Sequence, residues 1–148
     1  MALLPYWPGA PSTATDAAPH FYERRIPVVN DFAPLPNLDE ALAEWNHCHA
    51  DVRLVHDNGV QPYTRGSITI THSEDGAAYG GVADGYGVVF LGDGWTRAQA
   101  VIAHEVGHAL GFGHAKDQLL GGFTSVMAGG NHVSAKDCEG LRRYYGLG

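Results

Sequence analysis

The residues best suited to chemistry in this chain lie in one run, from His104 to His114. The run has the spacing H-E-x-x-H-x-x-G-x-x-H, in which Glu105 follows the first histidine directly. Residues four apart on a helix lie on one face, so His104 and His108 can direct their imidazoles at the same point. Two converging imidazole nitrogens are a minimal chelate for zinc, and Glu105 is placed to act on a water bound there.

The third histidine of the run requires a bend in the chain. A straight helix would carry His114 away from the point that the first two histidines share. Glycine adopts positive φ without steric cost, so Gly111 can end the helix and let His114 return from another direction. The spacing therefore predicts one zinc ion, bound by His104, His108 and His114 through neutral nitrogens.

A methionine-containing segment, Ser125-Val126-Met127-Ala128, follows this run. The extended histidine motif with a later methionine turn is the arrangement of metzincin metalloproteases. On these residues the chain resembles a metzincin zinc endopeptidase, closest to the matrixin branch, strongly over 95–146 and weakly from about Arg24 onward. The resemblance implies an α+β fold with a twisted mixed sheet of about four to five strands. An active-site helix, a second packing helix and a C-terminal helix would cover this sheet.

The resemblance also implies the roles of the central residues. Zinc would lower the pKa of its bound water from 15.7 toward about 7. Glu105 would accept the proton of this water as general base and return it to the leaving amine. Met127 would form a hydrophobic floor beneath the metal without binding it. The predicted reaction is therefore hydrolysis of a peptide bond.

Substrate contacts are expected from a glycine-rich stretch before the central helix. The resemblance matches Gly80, Gly81, Val82 and Ala83 to an edge strand, on which an extended substrate adds through backbone hydrogen bonds. A flexible loop is the alternative, because strand propensity is weak in glycine-rich sequence. The pocket beside the zinc would be walled by Leu110, the loop 116–124 and the segment 128–133. Within that last segment, His132 is expected to be exposed on the surface.

Hydrophobic periodicity predicts the elements that must position these residues. Strands are expected at 24–30, 52–56, 66–71 and 88–91, and helices at 38–50, 96–111 and 135–145. The predicted N-caps of the three helices are Asn37, Thr96 and Ser134, the last with Asp137 at the third helical position. Pro27 favours an edge position or a strand start. Residues 1–20 are predicted to form an extended arm, and 21–148 a single catalytic domain.

Composition narrows the possible partners. The chain has 148 residues, of which 45% are apolar and 17% charged, and its formal net charge is −7. Phosphate binding needs clustered lysine and arginine, so nucleic acid is not expected as a partner. No apolar run approaches the roughly eighteen residues that a membrane span requires. We expect a monomer that acts on a protein or peptide and contacts no membrane.

The remaining metal-ligand residue types are predicted to be structural or exposed. Cys48 and Cys138 form no C-x-x-C motif and lie on apolar helix stripes, which predicts two buried free thiols, with a single disulfide as the alternative. Calcium and a structural zinc are not expected, because the segment before the central helix lacks the histidines that matrixins use there. The side chains that could still bind a further cation are His72, Asp75, Asp84 and Asp93.

Two other functional classes stay open beside a zinc-dependent endopeptidase. One is an amide hydrolase of peptidoglycan cross-links, and the other is a non-catalytic zinc-containing binding module. An intact Glu105 argues against the module, because a site that only holds metal needs no general base. Residues 1–19 lack the basic and apolar regions of a secretory signal. The expected location is extracellular or virion-associated.

Overall fold

The computed structural model describes residues 4–5, 23–83, 85–113 and 125–147. The strands are β1 (Leu4–Pro5), β2 (Arg25–Asn30), β3 (Arg53–His56), β4 (Ile68–His72), β5 (Ala78–Val82) and β6 (Gly87–Leu91). The α-helices are α1 (Leu38–Asn46), α2 (Gln99–Leu110) and α3 (Ala135–Tyr144), and short 3-10 turns span Asp93–Trp95 and Val126–Ala128. No helix within these ranges is long and apolar enough to cross a membrane.

The strands form one mixed sheet in the order β1-β5-β6-β4-β2-β3. Strands β3, β2, β4 and β6 run parallel to one another, and β5 is antiparallel to β6. The two-residue β1 adds antiparallel to the outer edge of β5. The predicted α+β class, with a mixed sheet and three helices, is confirmed. The glycine-rich stretch forms the strand β5, so the flexible-loop alternative is wrong for Ala78–Val82.

The core lies between one face of the sheet and the first two helices. Helix α2 lies along β5 and β6, α1 lies on β3, and the two helices contact each other. In β6, Val89 and Leu91 face this core, whereas Val88 joins a smaller cluster on the opposite face with Ala83 and Tyr86. This alternation is the period of two that a strand with different neighbours on its two faces requires. Helix α2 therefore packs on the face of β5 and β6 that carries Val89 and Leu91.

Pro27 is the third residue of an interior strand, which corrects the prediction of an edge position or a strand start. Strand β2 has β3 on one side and β4 on the other. The pairing with β4 begins only at Val28 opposite Ile68. The Pro27 nitrogen, which carries no hydrogen, therefore precedes that ladder, and no hydrogen bond of the sheet is lost.

The cysteines form a disulfide, so the prediction of free thiols is wrong and its alternative is correct. Helix α1 ends at Asn46, earlier than predicted, and Cys48 follows it. Cys48 and Cys138 are bonded with an S–S distance of 2.05 Å and Cα atoms 4.8 Å apart. Both cysteines are buried as predicted. The sequence pattern predicts that each cysteine faces the core. It does not predict that the apolar faces of the two helices lie against each other.

Helix α2 begins later than the sequence pattern predicts. Thr96 belongs to the preceding turn, where its hydroxyl donates to the carbonyl of Asp93 at 3.2 Å. The first helical carbonyl is that of Ala98, which accepts from the amide of Ile102 at 2.9 Å. Ser134 does cap α3, because its hydroxyl accepts from the amide of Asp137 in a capping box. Asn37 precedes α1, but its side chain does not cap the helix. Its side-chain amide instead donates to the carbonyl of Arg97 at 2.6 Å.

Candidate metal centre

Two imidazoles of α2 converge as the spacing predicts. The Nε2 atoms of His104 and His108 lie 3.1 Å apart, and the two ring planes meet at 89°. His108 is buried and His104 is half-buried. One turn of helix thus directs two imidazole nitrogens at a common point.

Backbone carbonyls fix the tautomer of both rings. The Nδ1 atom of His104 lies 2.7 Å from the carbonyl oxygen of Val126, and Nδ1 of His108 lies 2.7 Å from that of Phe112. A carbonyl only accepts, so each Nδ1 carries the proton and each Nε2 presents a lone pair. Burial also lowers the pKa of His104, against the effect of the Val126 carbonyl. The lowered pKa favours the neutral ring of His104, which is the state that binds metal.

This arrangement fits a zinc ion. Two nitrogens that share a tetrahedral zinc at about 2.0–2.1 Å are separated by about 3.3 Å, close to the observed distance. Carbonyl contacts at the far ring nitrogen are also the usual way in which proteins orient histidine ligands.

Gly111 makes the bend that the third ligand requires. Its φ is 112°, in the left-handed region, and α2 ends there. The amide of Gly111 donates to the carbonyl of His108, and that of Phe112 donates to Gly107, both at 3.0 Å. The turn returns the Phe112 carbonyl to His108. His114, the third predicted ligand, lies outside the described residues.

Glu105 is a buried carboxyl beside the two histidines. Only 7% of the residue is exposed. Burial raises its pKa from an ordinary value of 4.5 to about 7, and a hydrogen bond from the backbone of Gly80 acts in the opposite direction. A carboxyl with a pKa near neutrality is matched to proton transfer at neutral pH.

Strand β5 lies directly against this part of α2. A Cβ atom at Gly80 would overlap the carbonyl oxygen of Glu105 and lie 3.2 Å from Cβ of His108. Glycine is therefore required at this position for the strand and helix to approach so closely. Of the other predicted substrate contacts, Gly81 and Val82 also lie in β5, and Ala83 follows it. Leu110 is only 1% exposed and packs in the core.

Met127 packs beneath the same helix. It is 1% exposed and lies in the 3-10 turn Val126–Ala128. A Cβ atom at Gly107 would overlap the Met127 sulfur and lie 2.9 Å from the ring of Trp45. The methionine thus contacts α2 at Gly107, the residue before His108.

A buried aspartate supports the turn that carries Val126. The carboxylate of Asp137 accepts from the amide of Val126 at 2.9 Å and from the hydroxyl of Ser125 at 2.5 Å. It also accepts from the amide and hydroxyl of Ser134 at 2.8 and 3.0 Å. The backbone of Val126 therefore links Asp137, through its amide, to His104, through its carbonyl. The capping position of Asp137 is predicted from the sequence, whereas its contact with Val126 carries no sequence signal.

The other residues considered as ligands do not form a comparable site within the described ranges. His47, Cys48 and Cys138 lie close together, but both sulfurs belong to the disulfide. His72 pairs with Asp93 at 3.3 Å and stacks on Phe32. Asp75 accepts from Ser73 and from the amide of Ala77, and Asp84 lies outside the described residues. The side chain of His132 is 76% exposed, as predicted, and pairs with Glu44 at 2.6 Å.

Comparison with solved structures adds a structural likeness. No protein-family model and no curated protein matches the sequence. The chain is similar to a solved structure of high choriolytic enzyme 1, a hatching enzyme zinc-protease from the medaka fish Oryzias latipes. The identity is 23% and the TM-score 0.44, and the match covers 61% of this chain and 44% of that chain.

Proposed function

We propose that this protein is a zinc-dependent endopeptidase whose general base is Glu105. The observation that supports the proposal best is that the His104 and His108 Nε2 lone pairs converge at 3.1 Å beside a buried carboxyl. A purely structural metal site is normally closed by four protein ligands and has no use for such a carboxyl. The sequence resemblance to the matrixin branch, with His114 as third ligand, supports the same function.

Each residue of the proposed site has a definite task. His104 and His108 hold zinc through Nε2 while their Nδ1 protons are bound by backbone carbonyls. A bound zinc would act as a Lewis acid: it would polarise the scissile carbonyl and lower the pKa of its water. Glu105 takes a proton from the attacking water and gives it to the leaving amine. The backbone hydrogen bond from Gly80 holds the Glu105 carboxylate in place.

The proposed substrate is a protein or an extended peptide, and the proposed location is extracellular or virion-associated. Peptidoglycan cross-links are amides as well, so a cell-wall hydrolase remains the second candidate within the same chemistry. The strand β5 beside Glu105 favours the peptide, because its outer edge pairs with an extended segment, β1, and a strand edge of this kind recognises an extended backbone. Cleavage of casein compared with cleavage of purified cell wall distinguishes the two substrates.

The deciding experiment is Glu105→Gln in zinc-loaded protein. Glutamine keeps the shape of the side chain but cannot accept the proton, so cleavage of a peptide should slow by about 10²–10⁴-fold. Zinc stoichiometry should stay at that of the parent, because the three histidines are unchanged. Glu139→Gln, at an exposed glutamate paired with Arg143 on α3, is the matched control and should cleave as the parent does. Equal rates for all three proteins would exclude Glu105 as the base, and a zinc-loaded parent without any cleavage would favour the binding module.

A further inference from the structure

A second group of metal-ligand side chains lies where the end of α1 meets the start of α3. His47 and Cys48 follow the last residue of α1, and Cys138 lies near the start of α3. Their ligand atoms, one imidazole nitrogen and two sulfurs, lie within 4.8 Å of one another. The two sulfurs are bonded to each other, so this form of the protein offers no thiolate to a metal. Reduction of the disulfide would supply two.

The distance between the imidazole and one sulfur fits two ligands of the same zinc ion. Nε2 of His47 lies 3.6 Å from Sγ of Cys138. A tetrahedral zinc, with Zn–N of about 2.0–2.1 Å and Zn–S of about 2.3 Å, holds such a pair about 3.6 Å apart. Two sulfurs on one zinc lie about 3.8 Å apart, a separation that rotation about the Cα–Cβ bond of Cys48 provides once the disulfide is broken.

Backbone hydrogen bonds hold the three residues in place independently of the disulfide. The amides of His47 and Cys48 donate to carbonyls within α1 at 3.2 and 3.1 Å. The amide of Cys138 donates to the carbonyl of Ser134, the N-cap of α3, at 3.0 Å. Helix α1 also packs on α2, and α3 begins with a capping box. Loss of the covalent bond therefore leaves the three ligand atoms near one another.

The two sulfurs are buried, whereas the histidine is exposed. Cys48 is 8% and Cys138 4% exposed, and His47 lies on the surface. Two thiolates in buried surroundings are costly unless a cation neutralises them. The exposed imidazole gives a metal ion access from solvent, and water can fill the fourth position that three protein ligands leave open. The surroundings of the reduced pair therefore favour a divalent cation.

We propose that the reduced protein binds a second zinc ion through His47, Cys48 and Cys138, so that this position holds either a disulfide or a metal. Reduction by a small thiol breaks the S–S bond: two reductant thiols become one disulfide, and both cysteines become thiols. Zinc then displaces the two thiol protons, which pass to solvent. A cytosol keeps thiols reduced and an oxidising compartment keeps disulfides, so the occupant follows the redox state of the surroundings.

The first test counts metal ions and detects sulfur ligands in the full-length chain. Protein is reduced with an excess of a small thiol, freed of it under nitrogen and titrated with Co²⁺ as a spectroscopic substitute for zinc. The reduced protein should bind two ions per chain and the disulfide form one. The second ion should give sulfur-to-cobalt charge-transfer absorption in the near ultraviolet, which imidazole ligands do not give. This absorption identifies the second site whether or not the protein is a peptidase.

Three variants assign the ligands. Cys48→Ser should abolish the second ion's affinity to the same degree as it weakens the sulfur absorption. His47→Ala should lower the affinity for the second ion by more than about 100-fold, because even changes behind a ligand lower it by up to that factor. His49→Ala is the matched control, since the ring of His49 contacts the amide of Asp51 at 3.1 Å. It should bind two ions as the parent does.

The redox equilibrium provides a second readout. A ligand that binds only the reduced form stabilises that form. In glutathione buffers, free zinc at about 100 times the Kd of the second site should raise the reduced-to-oxidised ratio about 100-fold, which corresponds to about 60 mV in the midpoint potential. His49→Ala should show the same shift, and His47→Ala none.

Several results would overturn the proposal. These are one ion per chain in the reduced parent, a second ion without the sulfur absorption, equal affinity in the parent and His47→Ala, or a midpoint potential that zinc does not change. A reduced chain that stays unfolded with two equivalents of zinc, as measured by near-ultraviolet circular dichroism, would overturn it as well, because the three ligands would then not be held together by the fold.

Discussion

Two groups of metal-ligand side chains gather within 4.8 Å in the described residues, and only one is arranged to bind a metal. At His104 and His108, backbone carbonyls hold the Nδ1 protons, so both Nε2 lone pairs converge. At the second group both sulfurs are bonded to each other, and only His47 remains, 3.6 Å from the Cys138 sulfur. Because a metal binds the thiolate, a disulfide sulfur is no substitute. Proximity of the right residue types is thus insufficient: the ligand atoms must also be directed at a common point and not be bonded to each other.

The largest effect is expected on zinc binding when one histidine of each group is replaced. His108→Ala removes a direct zinc ligand, so the protein should no longer hold one zinc per chain. Zinc affinity should fall by more than about 100-fold, because changes at residues that only hydrogen-bond to a ligand already lower it by up to that factor. His47→Ala is the matched control and should keep one zinc per chain. Competition with a chromophoric chelator measures both. Zinc retained by His108→Ala, or lost from His47→Ala, would reverse the comparison.

The second prediction concerns the disulfide. The bond joins residues 90 apart in sequence, and loss of a native disulfide typically lowers the free energy of unfolding by about 2–5 kcal/mol. The double variant Cys48→Ala, Cys138→Ala should therefore unfold at a lower denaturant concentration than the parent. Its zinc content and kcat at a temperature where it is folded should equal those of the parent. A folded double variant without zinc would show that the sulfurs take part in metal binding.

The third prediction uses the burial of Glu105 in metal-free protein. The pKa of about 7 in the folded state lies above the ordinary 4.5, so folding favours the protonated form. This contribution to stability is complete below about pH 4.5 and is lost as pH rises through about 7. Above pH 7 the parent should thus be less stable than Glu105→Gln by about 3 kcal/mol, since one pKa unit corresponds to 1.36 kcal/mol.

Denaturant unfolding at pH 4.5 and pH 8 with a chelator present measures this difference. The two proteins should be nearly equal in stability at the lower pH and diverge at the higher. Glu139→Gln, the exposed control, should follow the parent at both values. A Glu105→Gln variant that is no more stable than the parent at pH 8 would show that the carboxylate is not buried as described.

The smallest effect is expected at Asp137, which acts on His104 through the backbone of Val126 and through its own negative charge. Asparagine at this position offers one acceptor oxygen in place of two, so the bond to the Val126 amide or those to the serines must weaken. Zinc affinity should fall by about 10-fold, the lower end for groups that orient a ligand. The absorption spectrum of the cobalt-substituted protein should also shift. Unchanged affinity and spectrum, with stability alone reduced, would limit Asp137 to helix capping.

Sequence and structure agree best where one local pattern fixes the outcome. The period of α2, the spacing of His104 and His108 and the bend at Gly111 all depend on residues near one another in sequence. The pairing of Cys48 with Cys138, the contact of Gly80 with Glu105 and the support of Val126 by Asp137 depend on packing between distant elements. No periodicity encodes them. Thr96 shows a third case, in which a good N-cap residue is used by a preceding 3-10 turn instead.

The disulfide also changes the covalent topology of the metal centre. The segment that carries Val126, Met127 and Asp137 follows the stretch 114–124 in the chain, and it is bonded to the end of α1 through Cys138 and Cys48. A single proteolytic nick within 114–124 would therefore leave two fragments that stay linked. Such a nicked protein would migrate as one species on a non-reducing gel and as two after reduction, with the carbonyl that holds His104 still attached to the molecule.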